Sequence, residues 1–350
     1  MQAAPPPEST PPATIQPRTM RAAVFHGPVA AGQKPLTIEQ MPRPTPAAGE
    51  SLLRVLACGV CRTDLHIIEG DLPPLLRPLI PGHQIVAEIV TTDSTTLHVG
   101  DRVGVSWMGG VDGTCKFCTS GRENLCDNVV FTGYSRNGGY AEYTTARTDF
   151  LIPLASSLEP AIAAPLLCAG MIGFRSLRVA EVKPGMRVGL FGFGASARLI
   201  MPVLQAWGCE VYVSTRGERH RKEASGMGAR WVGDALDEPP VKLNAAVTFA
   251  PAGSVVLAAI KALDKGGIVA INAIHLDQMP AFDYDRYLWM ERQIRSVANM
   301  TRENAHDFLR TATEIGIKPA SQQFSLEQAN EALFAAKEED VVGSAVIVMR

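Results

Sequence analysis

Residues 187–197 read RVGLFGFGASA: an apolar run of strand type, a glycine turn, then the start of a helical pattern. The turn, Gly192-Phe193-Gly194-Ala195-Ser196-Ala197, is a G-x-G-x-x-A arrangement. Its first glycine permits a tight turn, its second lets the backbone approach a pyrophosphate, and the small third residue lets helix and strand pack closely. The helix N-terminus offers free N–H groups to the anion. Glycine turns of this kind also join strands to helices without any ligand, so the surroundings decide. Downstream, ARLIMPVLQAWG (197–208) reads as a helix, EVYVST (210–215) as a strand, and ERHRKEASGMG (218–228) as a helix. AAVTFA (245–250), SVVLAAIKALD (254–264) and GGIVAINA (266–273) continue the alternation. Alternating strands and helices predict a doubly wound parallel sheet with crossover helices, and in that setting the turn reads as a dinucleotide site.

Upstream the texture changes. AAVFHG (22–27), SLLRVLACGV (51–60), QIVAEIV (84–90) and DRVGVSW (101–107) are short apolar runs separated by Gly, Pro and Asp, the pattern of an irregular β domain. The last residues add a helical stretch, TRENAHDFLRTATEIG (301–316), and a strand, SAVIVM (344–349). The chain's 350 residues suit two domains. The first 20 residues carry six prolines and no apolar run of signal type, so residues 1–19 read as a disordered extension, with Met20 as an alternative start. A net charge of −2, from 33 basic and 35 acidic residues, gives no electrostatic footprint for nucleic acid. The long uncharged stretch 243–260 contains Asn244 and is broken by Pro251-Ala252-Gly253, which suits a strand and a helix better than a membrane span. The reading is therefore a cytoplasmic protein with no nucleic-acid or membrane partner.

The strand at 210–213 ends in Ser214-Thr215-Arg216. A site for NAD carries an Asp or Glu about here, bonded to the adenosine ribose. This chain has hydroxyls and a guanidinium instead, followed by Arg219, His220, Arg221 and Lys222. A 2′-phosphate needs donors and positive charge, so NADP is expected over NAD, with Arg216 as the principal contact. Arg221 and Lys222 read rather as the solvated face of a helix.

Seven cysteines without a secretory leader argue against a disulfide framework and for thiols or metal ligands. Asp112, Cys115, Cys118 and Cys126 follow a D-x2-C-x2-C-x7-C spacing in the polar, turn-rich VDGTCKFCTSGRENLCDN (111–128). Four such groups can wrap one tetrahedral zinc ion, which stabilises a loop that lacks a core. Cys61, His83 and Cys168 are scattered, but each lies at a strand end or turn.

Taken together, GVCRTDLH (59–66), PGHQIVAEIV (81–90), GDRVGV (100–105), CKFCTSGRENLCDN (115–128), GGYAEY (138–143) and PLLCAG (165–170) resemble a zinc-dependent alcohol dehydrogenase of the medium-chain dehydrogenase/reductase superfamily. The resemblance runs from Met20 to the C-terminus and includes IRSVANMTR (294–302), closest to a bacterial subgroup with an NADP-type strand end. It implies a GroES-like catalytic domain (residues 20–165 and 295–350) interrupted by a Rossmann domain (166–294). It further implies Cys61, His83 and Cys168 as ligands of a catalytic zinc, and Asp64 as the carboxylate orienting His83. Thr63 and His66 correspond to a proton relay, and the Asp112–Cys126 loop to a structural zinc site. Gly192, Gly194, Ala197, Ser214, Thr215, Arg216, His220, Ala273 and Ile274 correspond to cofactor positions. Trp107 and parts of 288–296 are expected at the substrate pocket.

The departures are Asp112 in place of a cysteine, Gln84 where many relatives have Glu, and Ile172 in place of a Thr near the nicotinamide. Cys58 reads as a small core residue. The implied activity is interconversion of alcohols with aldehydes or ketones using NADP(H) and two zinc ions per chain, in a homodimer or homotetramer. The alternatives are a zinc-independent NADPH:quinone or enone reductase, and a non-catalytic protein binding zinc and nucleotide.

Overall fold

A computed structural model describes residues 18–29, 33–338, 341 and 343–349. The sequence 187–296 folds as a six-stranded sheet. In spatial order the strands are Trp231–Gly233, Glu210–Ser214, Arg187–Phe191, Leu243–Thr248, Leu263–Ile271 and Gln293–Ser296, every pair parallel. Numbered along the chain this order is 3-2-1-4-5-6, the doubly wound arrangement in which ligands bind where the winding reverses. Here the reversal falls between Arg187–Phe191 and Leu243–Thr248. The central strands are apolar runs buried on both faces, as a parallel sheet covered by helices requires. One apolar cluster packs the helices Ala169–Val179 and Ala195–Ala206 on one face, and a second packs Gly253–Ala262 on the other.

The second unit is a seven-stranded, mostly antiparallel sheet built on the long strand Glu50–Gly59, which pairs with Gln84–Thr91, Tyr143–Arg147 and Ser344–Val348. Pairing of the C-terminal strand with Glu50–Gly59 returns the chain end to the first unit. A hairpin of Thr19–Phe25 and Leu36–Pro42 lies beside it.

Three local features differ from the sequence reading. Thr19, assigned to the disordered extension, is the first residue of a paired strand, while residues 1–17 lie outside the described part. The boundary at 294/295 cuts a strand: backbone pairing carries the parallel sheet to Ser296, so the seam comes after it. Leu65, Ile67 and Ile68 belong to a helix, Arg62–Glu69, inside what reads as strand-like sequence. Among the described residues, one helical run, Pro160–Val179, is long and apolar enough to cross a membrane, but 72% of its window is buried inside the protein. Its burial is that of a core helix.

Candidate metal centres and cofactor cleft

Cys61 ends the segment after Glu50–Gly59 and caps the helix Arg62–Glu69 with extended backbone angles. Asp64, at the third helical position, reaches back so that the Cys61 N–H donates to its Oδ2 at 2.8 Å, closing a capping box. His83 stands in the turn before Gln84–Thr91, and Cys168 caps the helix Ala169–Val179. The fold thus brings three distant segments to one point. The Cys61 and Cys168 sulfurs are 3.9 Å apart, and the ligand atoms of Cys61, His83 and Cys168 all lie within 4.8 Å of one another. Two thiolates around zinc at about 2.3 Å span a tetrahedral edge of roughly 3.8 Å.

His83 is fully buried, and its Nδ1 lies 3.1 Å from Asp64 Oδ1. A carboxylate only accepts, so Nδ1 carries the proton and Nε2 presents its lone pair. Nε2 is buried without a hydrogen-bond partner, as a metal-ligating nitrogen would be. Two thiols, an imidazole and an orphaned nitrogen at this spacing fit zinc. The site's electrostatics favour a thiolate: a hydrogen bond from Cys168 holds the Cys61 thiol well below its usual range, with His83 adding to the effect. The hydrogen bond shared with Cys61, together with burial, drives Cys168 up in turn. Burial pulls the His83 pKa down, but Asp64 and Cys61 outweigh it and raise it; a metal taken up at Nε2 would displace any proton there and leave the Nδ1–H on Asp64.

The two residues expected to form a relay flank this cluster. Thr63 is buried, with its hydroxyl 3.7 Å from the Cys61 sulfur. His66 lies one turn on, its Nδ1 2.9 Å from Asp71 Oδ2. Asp71 escapes a reading based on ligand spacing; the signal for it is Gly70, whose left-handed turn ends the helix and brings the next residue back to His66. Trp107 packs edge-on against the His83 ring, with centroids 5.0 Å apart, and stacks on Phe131 at 4.8 Å. Gln84 is buried over Gly59, where a Cβ would meet its Oε1 at 3.0 Å. Cys58 is fully buried in the β-domain core. The stretch 288–296 supplies the outer edge strand Gln293–Ser296, where Arg295 is bound to Glu181.

The second cluster forms a polar lobe. Asp112, Cys115, Cys118 and Cys126 also place their ligand atoms within 4.8 Å of one another, with the Cys115 and Cys118 sulfurs 3.6 Å apart. Asp112 Oδ1 accepts from the Thr114 and Cys115 N–H groups, and its Oδ2 accepts from Asn128. The Cys115 and Asn128 hydrogen bonds hold its carboxyl well below the usual range. A backbone hydrogen bond within the 115–118 turn lowers the Cys115 thiol, while burial raises Cys118 to about 12. All seven cysteines are free.

The glycine turn sits at the winding reversal. Gly192 has φ +95° and Gly194 caps the helix Ala195–Ala206. A Cβ at Gly192 would approach the Ala250 nitrogen to 3.1 Å, whereas one at Gly194 would meet no protein atom. Gly194 therefore leaves open space over the helix N-terminus, and the buried Ala197 lets that helix close on the sheet. The expected roles of Ser214 and Thr215 change. Both hydroxyls are turned inward: Ser214 donates to the Asp237 carbonyl at 3.3 Å, and Thr215 accepts from the Phe193 N–H at 3.2 Å. Thr215 thereby fastens the glycine turn rather than facing a ribose. Arg216 is exposed and has no hydrogen bond or ion pair among the described residues. His220 lies on the following helix, Glu218–Gly226, and is partly exposed, while Arg221 is paired with Asp234. Ala273 and Ile274 follow the strand Leu263–Ile271, with Ile274 exposed.

A β unit that offers two thiols and an orphaned imidazole nitrogen beside a doubly wound dinucleotide fold is the frame of a dehydrogenase with a place that could hold a metal. The chain belongs to the zinc alcohol dehydrogenase family of the medium-chain dehydrogenase/reductase superfamily, and it is an oxidoreductase of that family. Residues 47–156 match the alcohol dehydrogenase GroES-like domain. The chain is similar to a probable alcohol dehydrogenase, AdhA, of Mycobacterium tuberculosis, 44% identical over 92% of this chain and 95% of the relative. It shares its fold with the CAD of Helicobacter pylori complexed with NADP(H), with TM-score 0.84 and 20% identity over 94% of this chain and 98% of that one. A cobalt- and zinc-bound alcohol dehydrogenase from Pyrobaculum aerophilum superposes with TM-score 0.83, at 22% identity over 94% of this chain and 99% of that one.

Proposed function

We propose that the chain interconverts a small alcohol and its aldehyde or ketone, with hydride exchanged with NADP(H), and that it carries two zinc ions. The observation that carries this reading is the buried, unpartnered His83 Nε2 facing two sulfurs 3.9 Å apart. Cys61, His83 and Cys168 would hold the catalytic zinc, and Asp112, Cys115, Cys118 and Cys126 a structural one. When bound, the catalytic zinc supplies Lewis acidity toward the substrate oxygen.

The other tasks fall to the chain's own groups. Asp64 fixes the His83 tautomer and keeps Nε2 aimed at the ligand cluster. The Thr63 hydroxyl takes the substrate's proton and His66 passes it toward solvent, with Asp71 holding the His66 ring by Nδ1. Trp107 gives the pocket an apolar wall beside His83. Gly192, Gly194 and Ala197 shape the pyrophosphate turn, and Ala273 and Ile274 lie beyond the neighbouring strand. The free Arg216 guanidinium, with no acid at that strand end, supports NADP over NAD.

The setting that suits these free thiols is a reducing cytoplasm. The partners it implies are the small-molecule substrate and further copies of the chain, as a homodimer or homotetramer. The test is an alcohol and aldehyde panel run with both cofactors, alongside zinc counted per chain. Two zincs with tighter use of NADP(H) are expected. One zinc with hydride delivered only to activated double bonds would replace the reading by a quinone or enone reductase. Arg216→Ala should raise KM for NADP(H) about tenfold and leave that for NAD(H) unchanged.

A further inference from the structure

Asp64 is fully buried and carries more than the His83 hydrogen bond. Its Oδ1 takes the His83 Nδ1 at 3.1 Å, and its Oδ2 accepts from the Cys61 N–H at 2.8 Å and from the Tyr140 hydroxyl at 3.1 Å. Tyr140 is itself fully buried and ranks among the largest side chains with no exposure. Its segment is stapled to the turn that presents His83: the Gly138, Gly139 and Tyr140 N–H groups donate to the Ile80, Gly82 and Pro81 carbonyls at 2.7, 2.9 and 3.0 Å. The ring lies against Gly82, where a Cβ would come within 2.4 Å of it. Among the described residues the phenol hydroxyl donates to the carboxylate alone.

We propose that Tyr140 is a positioning residue for the Cys61–His83–Cys168 site, acting through Asp64. A buried carboxylate is held in one orientation by the donors that surround it. With its Oδ1 turned to His83 Nδ1, Asp64 holds the ring so that Nε2 faces the ligand cluster. Removing the Tyr140 hydroxyl leaves Oδ2 with the Cys61 N–H as its one donor. The carboxylate is then free to turn about its Cβ–Cγ bond, so Oδ1 no longer holds the His83 ring with Nε2 aimed at the two sulfurs. The same carboxylate oxygen anchors Cys61, so one phenol supports two of the three candidate ligands.

This inference rests on reading those residues as a zinc site, and the experiment separates the two. Tyr140→Phe removes one oxygen and keeps the ring that fills the space beneath Gly82, so the fold is retained, and thermal melting of the metal-stripped proteins checks it. Zinc retention is then titrated against a chelator, with the lobe ion as an internal reference, and the cobalt-substituted proteins are compared by their visible absorption. Y140F should hold the catalytic ion on the order of tenfold more weakly and shift the cobalt bands, leaving the lobe ion unchanged. The effect should vanish in an Asp64→Asn background, because Tyr140 acts through that carboxylate. Unchanged affinity and bands in Y140F overturn the proposal, as does an effect of full size in the Asp64→Asn background. Wild-type protein that takes up no metal at Cys61, His83 and Cys168 overturns the zinc reading itself.

Discussion

The two thiol clusters present similar atoms at similar spacing, with sulfurs 3.9 Å apart in one and 3.6 Å in the other, yet they are built in opposite ways. The lobe takes its four groups from one short loop, most of them partly exposed, around a small apolar cluster of Met108, Val111, Cys126 and Phe150. The Cys61 site takes its groups from three segments, its two sulfurs 107 residues apart in sequence, and seats His83 and Asp64 with no exposure. A loop that folds around an ion draws its order from the ion; a site assembled by two paired strands and two helix caps is ordered by the fold. An ion should therefore matter for stability in the lobe and for chemistry at Cys61.

The widest expected separation is in turnover. Cys168→Ser should lower kcat about a thousandfold, roughly 4 kcal/mol of transition-state stabilisation, and remove one metal per chain while the lobe keeps its own. Steady-state kinetics with metal analysis reads this, and loss of both ions would collapse the distinction. Cys126→Ser should do the reverse, lowering the melting temperature by roughly 5 °C while kcat of the folded enzyme stays within a few-fold. His66→Gln should slow turnover about tenfold, with part of the rate restored by added imidazole buffer, and an unchanged kcat would remove it from the relay.

The smallest effect concerns how the lobe is fastened. Arg302, which opens the helix Arg302–Glu314, donates to Glu123 from its backbone N–H and its guanidinium and stacks over Phe150 at 4.5 Å. Asn124 and Asn299 add hydrogen bonds to the carbonyls of Ala298 and Asn124. The lobe thus holds the segment through which the chain leaves the parallel sheet. Burial raises the Glu123 pKa, but its bonds to Arg302 outweigh this and hold it below the usual range. A depressed folded value means the contribution is present above the unfolded pKa of about 4.3 and lost as pH falls through the folded one. Glu123→Gln should cost about 1 kcal/mol at pH 7 and less at pH 3 in denaturant melts, as the carboxylate begins to take up a proton. An equal loss at both pH values would place the effect outside the ion pair.

Legibility follows the same contrast. The lobe could be read from spacing alone because its groups are neighbours in the chain, and so could the glycine turn, whose strand, glycines and helix are contiguous. The trio Cys61, His83 and Cys168 could be named only through a family resemblance, since no local pattern joins residues brought together by sheet pairing. Asp71 and Tyr140 carried no signal of their own: one depends on the left-handed turn at Gly70, the other on a buried approach to Asp64 from 76 residues away. Ser214 and Thr215 were placed correctly at a strand end, but which way their hydroxyls point depends on Asp237 and Phe193, and that spends them inside the protein.

By itself the sequence determined the doubly wound domain, the glycine turn and the ligand types, because hydrophobic period, turn chemistry and short-range spacing are local properties of the chain. Tertiary structure alone decided which scattered thiols meet and which hydroxyls are free, and it alone revealed that a phenol stands behind Asp64. Each of these depends on strand register and helix packing, where a single step of pairing moves a side chain from one face to the other.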